Sequence, residues 1–148
     1  MIFGASWGFC FLRIASTSWL KGKNDLIKLP LNSLRKGFAF FDTATKVRRL
    51  KGNASDAFLE IVEPTDIASL LAAMPSCNNI ITTGGLAGET LCRTLGVEKL
   101  PKIGESVLCP QEQHGLGRDI VFWRMPSSSR AYPLKLEKKA EFYARLFV

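Results

Sequence analysis

The chain has 148 residues, 47% of them hydrophobic, with 20 Lys and Arg against 13 Asp and Glu for a net charge of +7. A chain of this length and composition, without a repeat or a low-complexity segment, reads as one globular domain with a core of its own. The charge excess disfavours a basic partner and points to a polyanion or an acidic surface. It is also uneven: residues 1–51 hold ten cations and two carboxylates, residues 52–148 ten cations and eleven carboxylates. The four cysteines, Cys10, Cys77, Cys92 and Cys109, have no C-x-x-C spacing, which argues against a zinc site and leaves reduced, buried thiols as the expectation. No run of 18 apolar residues is present, so no membrane span is expected. Met1–Leu12 is apolar but lacks the basic start and the A-x-A-like cleavage site of a signal peptide, and a cytoplasmic chain is expected.

In chain order, residues 1–36 fit no regular element. Phe3, Trp7, Phe9, Phe11, Leu12 and Ile14 follow neither a helical period nor strict alternation, and Gly22, Pro30 and Asn32 break any long element after them. Gly37–Thr43 is a short aromatic run that predicts a buried strand with Asp42 at its carboxyl end. A carboxylate there is costly unless it is paired, caps a turn or is functional. Lys46, Arg48, Arg49 and Lys51 then lead into Gly52-Asn53-Ala54-Ser55-Asp56, which reads as a basic loop. Such a loop can meet a phosphate backbone and offer Asn53 or Asp56 to a nucleotide, or it can simply be a solvated surface.

Thr65 predicts an N-cap for a helix whose apolar face is Ile67, Leu70, Leu71 and Met74, ended by Pro75. Asn79–Thr83 reads as a strand, Gly84-Gly85 as a turn, and Ala87, Leu91 and Leu95 as one face of a helix closed by Gly96. This strand–turn–helix is neither G-x-G-x-x-G nor a Walker A loop, so a nucleotide-binding enzyme built on Thr83-Gly84-Gly85 has weak support. Residues 97–117 are rich in Gly and Pro, with Val107 and Leu108 as a possible short strand. The single histidine, His114, sits there without a partner at metal-ligand spacing.

Asp119–Trp123 reads as a buried strand, followed by the loop Arg124-Met125-Pro126-Ser127-Ser128-Ser129-Arg130. Three hydroxyls, a rigid proline and flanking arginines suit phosphate oxygens, although Ser and Pro also mark ordinary turns. A closing helix is predicted over Lys135 to Phe147, with Leu136, Ala140, Tyr143 and Phe147 inward and Lys135, Lys138, Lys139 and Arg145 outward or sideways.

Met125-Pro126-Ser127-Ser128-Ser129 with Arg130 resembles the second motif of the uracil-DNA glycosylase superfamily, nearest to its mismatch-specific thymine/uracil and hypoxanthine-DNA branches. The resemblance covers roughly residues 37–147. It implies a three-layer α/β/α fold with a central, mostly parallel sheet over residues 37–148, and base-excision chemistry: hydrolysis of the N-glycosidic bond of a flipped deaminated or mismatched base (uracil, hypoxanthine or thymine) in duplex DNA. It further implies that Asp42, at the position of the family's Asn or Asp, lines the base pocket. Thr83-Gly84 stands where the family commonly has Asn-Gly. Pro126, Ser127, Ser128, Ser129 and Arg130 are implied to grip DNA, with Arg48, Arg49 and Lys51 as further backbone contacts and Asn53 and Asp56 beside the base. No cofactor or metal is implied; the iron–sulfur cluster of some branches needs a close cysteine pair that is missing here.

The family's first motif, a Gly-x-x-Pro-like loop followed by an Asn/Arg-Phe-Trp segment, supplies its water-positioning residue and has no copy in residues 1–36; Phe3-Gly4-Ala5-Ser6-Trp7 lacks the pattern. The expectation is therefore an N-terminally incomplete fold, with an exposed sheet edge open to self-association. The alternative to an active glycosylase is a non-catalytic DNA-binding remnant of the same scaffold.

Overall fold

A computed structural model describes residues 8–13, 38–50, 58–128 and 132–147. The architecture is mixed α/β. In chain order the strands are β1 (Gly8–Arg13), β2 (Phe38–Asp42), β3 (Ala44–Arg49), β4 (Leu59–Pro64), β5 (Cys77–Thr83), β6 (Ser106–Cys109) and β7 (Ile120–Met125). The helices are α1 (Ile67–Ala73), α2 (Gly85–Leu95), the single turn α3 (Gln111–His114) and α4 (Leu136–Ala144), which runs into a 3-10 turn, Arg145–Phe147.

Among the described residues one sheet has the order β2-β1-β5-β7-β6, and β3 and β4 form a separate ribbon. The first four strands of the larger sheet are parallel, and β6 runs antiparallel to β7. The apolar run Ile120–Trp123 of β7 and the unbroken burial of Asn79–Thr82 in β5 follow from cover on both faces. Alternate residues divide between two clusters. Ile80, Ile120 and Phe122 pack with Ile67 and Leu71 of α1 and Leu91, Cys92 and Leu95 of α2. Ile81 and Met125 point the other way, to Leu146, Trp123, Phe142 and Tyr143.

Several sequence expectations change. Residues 8–13, placed in no element, form a strand between β2 and β5, so the described outer strands are β2 and β6. The apolar run gave no boundary because a parallel strand inside a sheet needs no polar alternation. The expected basic loop over 46–56 begins instead as strand: Ala44–Arg49 pairs antiparallel with Leu59–Pro64. Its charges obscured this, because a two-stranded ribbon can expose both faces. The cap of α1 is Asp66 rather than Thr65; Asp66 accepts from Ser69 N at 3.1 Å and Ser69 Oγ at 2.6 Å. The Thr65 hydroxyl donates instead to the carbonyl of Asp42.

The closing helix is turned from its expected face. Leu136 is 76% exposed, whereas Lys139 is 8% exposed. The buried stripe is Lys139, Phe142, Tyr143 and Leu146, again at i, i+3, i+4, i+7. The Lys139 ammonium stands 5.5 Å from the Tyr132 ring centroid.

Arg118 went unnoticed in the sequence. Its guanidinium donates to the carbonyls of Met74, Pro75 and Cys77 at 2.9, 2.9 and 3.0 Å and of Leu71 at 3.1 Å. These are carbonyls at the end of α1 and its turn into β5; Leu71 O and Met74 O also accept from the backbone N–H of Met74 and Cys77, and the guanidinium ties all four together.

Candidate functional site

The strand order reverses between β1 and β5: the chain goes outward from β1 to β2, then returns past β1 to β5 and β7. In an open α/β sheet such a reversal opens a crevice beyond the carboxyl ends of the strands. The register puts the sequence candidates there. Arg13 pairs with Asp42, Leu12 with Thr82, and Thr83 with Met125. Asp42, Arg13, Thr83 and Met125 thus end four adjacent parallel strands at the same edge. Three strand spacings separate the outer two, roughly 14 Å.

Asp42 is half-buried. Its backbone is held by Thr65, whose Oγ1 donates to Asp42 O and whose N donates to Thr43 O at 3.0 Å. The adjoining Thr43 is 3% exposed, and its hydroxyl has no hydrogen-bond partner among the described residues.

Thr83 is half-buried and leads into Gly84, the residue before α2. Gly84 has φ +107° and ψ 169°, a backbone conformation open essentially to glycine alone. Among the described residues no side chain caps α2, and a Cβ at Gly84 or Gly85 would meet nothing within 4 Å. The first turn of this 11-residue helix carries no acidic residue, so among the described residues no carboxylate in that turn offsets its dipole.

The third wall is the segment leaving β7. Met125 is fully buried and Pro126 is among the fully buried side chains. Gly84 N donates to Met125 O at 3.4 Å and Tyr143 Oη to Pro126 O at 2.8 Å. Burial pushes the Tyr143 phenol up to about 12, so it stays a donor. Ser127 is half-buried and Ser128 exposed. Ser129 and Arg130 lie outside the described residues, as do Lys51, Asn53 and Asp56.

Other candidates stand elsewhere or are committed. Arg124, expected to flank the loop as a phosphate ligand, donates to Pro101 O at 2.8 Å. Arg48 and Arg49 belong to β3, where Arg48 pairs with Glu60 at 3.4 Å and Lys46 is in register with Glu63. His114 is not in an open loop: Leu116 N donates to its Nδ1 at 3.2 Å, and its Nε2 faces Cys109 O at 3.0 Å. The first bond leaves the proton on Nε2, so both nitrogens serve the backbone.

Burial raises the thiols of Cys92 and Cys109. Among the described residues no group of three or more His, Cys, Asp or Glu is arranged to hold a metal ion, and no helix is long and apolar enough to cross a membrane. No family model, no curated protein and no solved structure matches this chain.

Proposed function

We propose that the chain is a DNA glycosylase-like protein that holds a flipped, deaminated or mismatched nucleotide at the carboxyl edge of its sheet and hydrolyses its N-glycosidic bond. The observation that carries this reading is the register: Asp42, Thr83-Gly84 and Pro126–Ser128, far apart in sequence, lie at the carboxyl ends of β2, β5 and β7, parallel strands of one sheet with β1 between the first two. Two features support the finer, three-layer description: α1 and α2 cover one face of the sheet, and α4 covers the other.

On this reading Ser127, Ser128, Ser129 and Arg130 grip the phosphates beside the extracted nucleotide and help to offset an unstacking cost of a few kcal/mol. Asp42 faces the sugar and base, where a carboxylate stabilises the cationic sugar as the bond breaks. The open start of α2, with Thr83 beside it, favours the negative charge left on the departing base. Arg48 and the basic residues after it add long-range attraction to DNA.

The test is strand cleavage. Duplexes carrying uracil, hypoxanthine or a G·T mismatch are incubated with the chain and then treated with alkali. The expected result is cleavage at the lesion alone, reduced in Asp42→Ala and Ser128→Ala. Duplex binding that falls steeply with salt but yields no abasic site would establish the non-catalytic alternative. Absence of both binding and cleavage overturns the reading.

A further inference from the structure

We propose that the Tyr143 hydroxyl is a latch that sets the direction in which residues 126–128 leave the sheet, and that Tyr143 is thereby a positioning residue for nucleic-acid contact; the second clause rests on the proposed function. Few torsions are free at the end of β7. Met125 precedes a proline and is confined to extended backbone, as its place at the end of the strand requires. The pyrrolidine ring fixes φ of Pro126. One soft torsion then remains before Ser127, ψ of Pro126. It turns a planar peptide whose oxygen is Pro126 O and whose N–H is that of Ser127.

That oxygen accepts the Tyr143 hydroxyl at 2.8 Å. Holding it also holds the Ser127 N–H, which points the opposite way on the same plane. The preceding carbonyl, Met125 O, is taken by Gly84 N at 3.4 Å. Consecutive carbonyls are thus held from two elements, the start of α2 and the last turn of α4. The latch is itself anchored, because the Tyr143 ring packs with Ile81, Met125 and Leu146. Ring and hydroxyl have separable roles: the ring covers the sheet, and the hydroxyl orients the segment.

Tyr143→Phe in the full chain separates them, since it keeps the ring. Amide hydrogen exchange at Ser127 and Ser128 is compared with exchange in β5 and α2, alongside affinity for a lesion-bearing duplex. The expected result is exchange about fivefold faster at Ser127 and Ser128, the factor that one ordinary hydrogen bond carries, with β5 and α2 unchanged. Duplex affinity falls by a similar factor. Unchanged exchange at Ser127 and Ser128 overturns the latch, whatever the duplex does. Faster exchange with unaltered affinity overturns the positioning role. If the wild-type chain binds no duplex, the nucleic-acid reading and the positioning role fall together, while the exchange result alone decides the latch.

Discussion

The two sides of the carboxyl edge are built differently. On the β5–β7 side the site segments are fixed by half-buried groups from distant parts of the chain, Tyr143 on Pro126 O and Gly84 on Met125 O, while Arg118 holds the turn that feeds β5 at the opposite, amino edge. On the β2 side the chain passes from Asp42 directly into the β3–β4 ribbon. The ion pair found there, Arg48–Glu60, has side chains 68% and 50% exposed. Exposed pairs of this kind contribute little, because water and salt screen them and two long side chains lose freedom. The edge thus pairs a wall held by contacts from distant parts of the chain with one held mainly by backbone; on the proposed function the first grips phosphates and the second admits the nucleotide.

The largest expected effect tests the β5–β7 side from its amino edge. Arg118→Ala leaves four carbonyls without this donor, and urea denaturation is expected to show a loss of about 3 kcal/mol, in the range for hydrogen bonds to a charged group. Arg118→Lys is expected to recover less than half, since one ammonium cannot span the same fork. A loss below about 0.5 kcal/mol would put this side on the same footing as the ribbon.

A smaller effect comes from Tyr143. Its ionisation is shifted up from near 10 to about 12 in the folded chain. The folded state then holds a proton that the unfolded state releases, so stability is complete below about pH 10 and declines as pH rises toward 12. Tyr143→Phe is expected to flatten that part of the stability–pH curve. Cys92 and Cys109, also shifted up by burial, are common to both chains, so the difference between the curves isolates the phenol.

The smallest effect belongs to the ribbon. Arg48→Ala and Glu60→Ala, singly and together, are expected to change stability by at most about 0.5 kcal/mol, with a coupling that fades in high salt. A salt-resistant coupling above about 1 kcal/mol would remove the contrast between the two sides.

Legibility in the sequence divides along the same line. β2, β5 and β7 were readable because buried parallel strands are short apolar runs bounded by turn residues, and α1 and α2 because their apolar residues recur at helical spacing. The segment after Trp123 was readable as the exit from a strand. β1 was not, because apolar residues continue on both sides of Gly8–Arg13 and nothing marks its ends. The ribbon was obscured by its cations. Arg118 could not be assigned at all: its acceptors lie 41 to 47 residues earlier, and no local pattern connects a guanidinium to carbonyls that far away.

That separation has a consequence for how the chain is made. Translation at about 5–20 residues per second places roughly two to nine seconds between the synthesis of Leu71–Cys77 and that of Arg118. Through that interval the carbonyls at the end of α1 have only their local backbone donors and water. Arg118 is therefore expected to close a junction that other contacts have already brought together, acting as a late bolt on the nascent domain rather than as its seed.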